Sequence, residues 1–155
     1  MNGVPACMRM PHSRWNDLSE DALRSSGYSV LIRSSAGVDA FAKQRKSVFV
    51  CIQGHPEYEA DTLLKEYRRD VKRYLEGETD TYPTMPHDYF DEQAMVAWLA
   101  KRARAMSYRH EGLAPDFPVI GTVKNTWRLT GERLYRNWLS YLAERKHIGT
   151  FAGAA

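Results

Sequence analysis

The chain has 155 residues, a mass of 17.8 kDa and a net charge of +3 from 22 basic and 19 acidic residues. It is 43% hydrophobic, 12% aromatic and 26% charged, which suits a globular fold and excludes disordered and collagen-like classes. No apolar run reaches about 18 residues, so no membrane span is expected. Met1 to Met10 lack the apolar stretch of a secretion signal. Two cysteines, Cys7 and Cys51, make neither a disulfide framework nor a four-thiolate zinc site, and a reducing, cytoplasmic setting is the expectation. Basic and acidic residues interleave, which argues against a nucleic-acid partner.

In chain order, Ser19 is placed to cap a short helix with Glu20 and Asp21 in its first turn, where the helix dipole favours acids. Ser25-Ser26-Gly27 ends it. Tyr28 to Ile32 and Val38 to Ala42 read as strands, separated by the turn Ser34-Ser35-Ala36-Gly37. Lys43-Gln44-Arg45-Lys46 reads as a hairpin turn. Ser47 to Ile52 is a continuous apolar run, the pattern of a strand buried on both faces. A helix is expected from about Ala60 to Leu75. Leu63, Leu64, Tyr67, Val71, Tyr74 and Leu75 share one stripe of roughly 120°, and Gly77 follows as a stop. After the Pro-containing loop Tyr82 to Asp91, a second amphipathic helix carries Met95, Trp98, Leu99, Ala103 and Met106. A third, about Asn125 to Lys146, carries Trp127, Leu134, Tyr135, Trp138, Leu139 and Leu142. The small-residue tail from Gly149 is expected to fray.

Three constellations carry chemistry. In Gln53-Gly54-His55-Pro56-Glu57-Tyr58-Glu59, a strand delivers an imidazole at its carboxyl end, where α/β proteins gather catalytic groups. His55 and Glu57 are two apart, so extended backbone puts them on one side. A carboxylate there fixes the imidazole tautomer and leaves the other nitrogen to act as a base. The plainer alternative is a capped strand end with an incidental histidine. Cys51 is four residues before His55, roughly 13 Å along a strand, beyond the roughly 3 Å that a nucleophile and its base need. It reads as a small buried hydrophobe. Cys7 lies in an irregular leader with no helix start to activate it. In Met10-Pro11-His12-Ser13-Arg14-Trp15, Ser13 and Arg14 offer a hydroxyl and a guanidinium to a carboxylate, or form a polar loop beside a packed Trp15. In Glu66-Tyr67-Arg68-Arg69-Asp70, Arg69 lies opposite the apolar stripe, facing solvent or a bound carboxylate. His12, His87, His110 and His147 show no metal-ligand spacing, and no Gly-rich phosphate loop occurs. No metal and no cofactor is expected.

Together these motifs resemble the homoserine O-acyltransferases, usually called homoserine O-succinyltransferases, over about residues 8–145 and in their carboxyl-terminal part. The likeness runs from Met10-Pro11-His12-Ser13-Arg14 through Phe49-Val50, Gly54-His55-Pro56-Glu57-Tyr58-Glu59, Thr62-Leu63, Glu66-Tyr67 and Arg69-Asp70-Val71. It continues in Tyr89-Phe90, Trp127-Arg128, Leu134, Asn137-Trp138-Leu139 and Tyr141. His-Pro-Glu alone is shared with class I glutamine amidotransferases; Arg69-Asp70 and Asn137-Trp138 narrow the likeness to the acyltransferases.

The resemblance implies an α/β, class I glutamine-amidotransferase-like (flavodoxin-like) fold, of which this chain is expected to be only the carboxyl-terminal half. It would form one partial domain, with 1–7 as leader and 146–155 as tail. It implies acyl transfer from succinyl-CoA or acetyl-CoA, as co-substrate, to the hydroxyl of L-homoserine in methionine biosynthesis, through a cysteine thioester. His55 would be the general base, Glu57 its orienting partner, Arg69 the substrate-carboxylate arginine and Ser13 a substrate-pocket residue. A homodimer is a further family expectation. The family's nucleophilic cysteine, oxyanion-hole backbone and substrate lysine lie ahead of the serine motif, where Met1 to Arg9 match none of them, so the chain alone is expected to be catalytically incomplete. Two more departures are a longer stretch from Glu92 to about Lys124 and Thr130, where many members have histidine. The alternatives are a glutamine-amidotransferase-like fragment and a non-catalytic module binding an amino acid or a partner chain.

Overall fold

The computed structural model describes residues 3–14, 16–108, 117–118 and 123–152, the side chains of 147–152 excepted. Trp15, His110, the His147 side chain and the last three residues of the expected tail lie outside the described residues. Helices and a small antiparallel sheet give an α/β composition. The elements are α1 (Glu20–Ser25), β1 (Ser29–Ser34), β2 (Gly37–Gln44), β3 (Val48–Ile52), α2 (Thr62–Leu75), α3 (Glu92–Tyr108) and α4 (Arg128–Ala152). They fall into two compact units, Met1–Glu57 with Thr126–Ala155, and Tyr58–Asn125.

The first unit holds the sheet, in the order β1-β2-β3. The Ser19 side chain accepts from the Ala22 N–H and caps α1, as the sequence indicates. Gly27 ends that helix at φ +78°, a left-handed backbone that suits glycine. β1 and β2 pair antiparallel up to Ser34 opposite Gly37, leaving Ser35-Ala36 as the loop. β2 pairs antiparallel with β3 from Ala40–Ile52 to Gln44–Val48. Leu23, Val38 and Phe41 form the core here, with Tyr28, Val30 and Cys51 packed against it.

The expectation that Ser47 to Ile52 is buried on both faces is corrected. Phe49 is 55% exposed, and Val50 and Ile52 are exposed too. Among the described residues β3 is an edge strand paired with β2 alone, so one flank of its apolar side chains lacks a neighbouring strand. The middle strand takes the buried place instead: Val38, Asp39, Ala40 and Phe41 are consecutively buried. α4 also runs past the expected end at Lys146, to Ala152.

The second unit is built on α2. Leu64, Tyr67, Val71 and Tyr74 are buried along one side, matching the stripe read from the sequence. They join Tyr82, Trp98 and Ala105 in one core, against which Tyr89, Phe90 and Phe117 pack. The Tyr67 and Trp98 rings meet edge to face at 4.8 Å between centroids. Asp61 offers no side-chain cap to α2. Tyr89 stands in: its hydroxyl accepts from Leu64 N at 3.3 Å and donates to the Ala60 carbonyl. On α3 the expected stripe is corrected. Ala94, Trp98 and Ala105 are the buried residues, while Met95, Leu99 and Met106 are exposed. The small alanines let α3 approach the core closely around Trp98, which turns the larger side chains outward.

Candidate active site

Ile52 ends β3, and Gln53-Gly54-His55-Pro56-Glu57 turns away from it. Gln53 fastens the turn to the middle strand. Its backbone N–H donates to the Asp39 carbonyl at 2.7 Å, and its side chain donates to the Val38 carbonyl at 2.6 Å. The His55 N–H donates to the Pro11 carbonyl at 2.8 Å. The segment 10–14 therefore lies along the turn like a strap.

His55 Nδ1 lies 2.8 Å from Glu57 Oε1. The ionised carboxylate only accepts, so Nδ1 carries the proton and Nε2 is the basic nitrogen of the neutral ring. The histidine is partly shielded, with 30% of its side chain exposed. The pairing expected from the two-residue spacing is thus present as geometry.

The strap holds Ser13, half-buried, between His12 and Arg14. The Arg14 guanidinium is engaged within the chain. It donates to the Ala36 carbonyl at 2.8 Å and the Val38 carbonyl at 3.3 Å. Its Nε pairs with Asp17 at 2.9 Å and its Nη1 lies 3.7 Å from Asp39. Arg14 staples the strap to the β1–β2 loop.

The proximity of His12 to Asp39 escaped the sequence reading. His12 Nε2 sits 3.4 Å from Asp39 Oδ1. Burial pushes His12 below its ordinary 6.5, Asp39 opposes that, and Arg14 and His55 add to it. An acid in the middle of an apolar strand, Val38-Asp39-Ala40-Phe41, was the signal that could have found the pair.

Cys51 packs against the Leu23–Val38–Phe41 core, and Cys7 is exposed. In the second unit, Arg69 projects from α2, 54% of its side chain exposed. Asp70 accepts from Arg69 Nε at 2.8 Å and from Nη2 at 3.1 Å. This hydrogen bonding raises the already high Arg69 pKa, so the guanidinium is fully charged. Among the described residues no group of three or more His, Cys, Asp or Glu side chains is set to hold a metal ion, and no helix is long and apolar enough to cross a membrane.

The first unit of this α/β protein thus sets a histidine paired to a carboxylate just past a strand. The chain matches the family model described as homoserine O-succinyltransferase over residues 1–148. Homoserine O-succinyltransferases of Methylorubrum extorquens, Rhodopseudomonas palustris and Bradyrhizobium japonicum are 45%, 43% and 39% identical to it, each over 92% of this chain. The match takes in 44%, 44% and 45% of those relatives, so the chain spans less than half their length. The chain belongs to the homoserine O-succinyltransferase family.

Proposed function

We propose that this chain supplies the acid–base residues and the carboxylate-binding arginine of an acyl transfer to L-homoserine. The observation that carries the reading is the 2.8 Å pairing of His55 Nδ1 with Glu57 Oε1 in a member of this family. His55 takes the proton of the attacking hydroxyl at Nε2, and Glu57 holds the ring and stabilises the imidazolium. Arg69 binds the substrate carboxylate, a task suited to a planar, permanently charged group. Ser13 contributes to the substrate pocket. The acyl group comes from succinyl-CoA or acetyl-CoA as co-substrate and passes through a thioester on a cysteine that is neither Cys7 nor Cys51. No metal or further cofactor takes part. The finer fold is class I glutamine-amidotransferase-like, the setting is cytoplasmic and the assembly is a homodimer.

The test pairs calorimetry with an acyl-transfer assay on this chain. Homoserine binding that is lost in Arg69→Ala is expected, with no turnover from either acyl-CoA. Turnover that survives His55→Ala, or an acyl adduct on Cys7, would overturn the assignment.

A further inference from the structure

Three hydrogen bonds close a ring that takes in two residues of the proposed site. The Gln53 side chain meets the Val38 carbonyl at 2.6 Å. A carbonyl only accepts, so the amide nitrogen of Gln53 is the atom that faces it. Arg14 Nη1 donates to the same carbonyl at 3.3 Å. The His55 N–H donates to the Pro11 carbonyl at 2.8 Å. Residues 11–14 and 53–55 complete the circuit covalently. Ser13 lies within one covalent arm, and His55 ends the other.

The ring is tight. A β-carbon on Gly54 would stand 2.3 Å from Met10 Sδ and 3.2 Å from His12 Cε1, so the strap lies directly on the turn. Its anchor is buried, because Val38 belongs to the core of the first unit. The β2–β3 register ends at Ala40–Ile52. Past that point Gln53 reaches two successive carbonyls of β2, Asp39 through its backbone N–H and Val38 through its side chain. Any residue except proline could make the first bond. The second requires a side chain of this length that ends in a donor. Without it the turn still starts at Asp39, but its link to the carbonyl that holds Arg14 is gone.

We propose that Gln53 is a positioning residue whose side-chain amide closes this ring and so sets Ser13 of the strap against His55 of the turn. With the ring opened at Gln53, the Pro11–His55 bond is the one link of the ring that still joins strap to turn, and the two pivot about it. This rests on the reading of His55 as the base and Ser13 as a pocket residue.

The test is NMR on the whole chain. In the wild type the Gln53 side-chain amide protons are expected to exchange about tenfold or more slowly than those of Gln93, an exposed glutamine of α3. Overhauser contacts of Met10 and His12 with Gly54 report the strap on the turn, and the imidazole nitrogens report the His55 tautomer. Gln53→Met keeps the length and removes the donor. Gln53→Asn is milder: it keeps a polar amide but falls about 1.5 Å short, one carbon–carbon bond. Both variants are expected to lose the Overhauser contacts and to turn a single Nδ1–H tautomer of His55 into a mixture. A purely structural glutamine would lower the unfolding midpoint and leave both signals as in the wild type below it, and that result would overturn the proposal. So would Gln53 amide protons that exchange as fast as those of Gln93. None of these signals involves a substrate. A failed acyltransferase reading would show instead as absent homoserine binding in a wild type whose Gln53 amide is protected.

Discussion

Gly131 of α4 lies so close to Pro56 that a β-carbon on it would stand 2.7 Å from the Pro56 carbonyl oxygen. The helix is thereby pressed against the turn that carries His55 and Glu57. A glycine inside a helix ordinarily gains about 1 kcal/mol on change to alanine. Here the obstacle is backbone, which cannot swing aside, and overpacking of this kind costs about 1–3 kcal/mol. Gly131→Ala is therefore expected to lose the usual helix gain and to destabilise the chain by up to about 2 kcal/mol in urea unfolding. A stabilised variant would show that the helix moves away at no cost.

Local signals in the sequence located the elements well. Ser19 caps α1, and Leu64, Tyr67, Val71 and Tyr74 form the buried side of α2, because both depend on short-range spacing. The His55–Glu57 pair was legible for the same reason. Burial of β3 was not, because an apolar run states what a strand tolerates, and its neighbours decide what covers it. The Phe49 and Val50 side chains show that difference. On α3 the period pointed to Met95, Leu99 and Met106, while the core selected the alanines that fit beside Trp98. The His12–Asp39 and Arg14–Ala36 contacts join residues more than 20 apart, a range that local pattern does not reach.

Arg14 is a structural staple, so its charge alone should not replace it. Arg14→Lys keeps the cation but loses the fork that reaches the Ala36 and Val38 carbonyls together. A loss of about 1.5–3 kcal/mol is expected by urea unfolding. Unchanged stability in the lysine variant would show that the charge beside Asp39 and Asp17 is what matters.

The depressed His12 pKa sets a direction for stability against pH. The folded state binds its proton less readily than the unfolded chain, whose histidine titrates near 6.5. Below that pH the unfolded state holds more protons, so stability falls with acidification and recovers above it. Burial is the leading cause, with Asp39 opposing it. Denaturant midpoints followed from about pH 7.5 downward should fall less steeply in His12→Gln than in the wild type. Parallel curves would assign the acid sensitivity to other groups.

The two faces of α3 give a sharp contrast between neighbouring residues. Trp98 is fully buried, 4.8 Å from the Tyr67 ring centroid and 5.9 Å from that of Phe117. Leu99 is 47% exposed. Trp98→Ala should cost about 3–5 kcal/mol and unfold the second unit. Leu99→Ala should stay within about 0.5 kcal/mol. Thermal unfolding of the two variants separates these outcomes, and a large loss at Leu99 would mean that this face is covered.

Arg69 carries the last prediction, which depends on the proposed carboxylate role. Asp70 occupies the Nε and Nη2 side of the guanidinium and so fixes how the group leaves the helix. A substrate carboxylate would meet the remaining edge as a planar fork. Lysine keeps a positive charge on α2 but offers a rotating point donor, with no second nitrogen to share. Asp70 would also pair with that ammonium directly and compete with the substrate. Arg69→Lys should therefore weaken homoserine binding by about tenfold or more in calorimetry, a change of at least about 1.4 kcal/mol. The helix should remain folded, because Arg69 lies off the buried stripe of Leu64, Tyr67, Val71 and Tyr74. Binding as tight as the wild type in the lysine variant would show that charge near α2 suffices and would remove the bidentate role from Arg69.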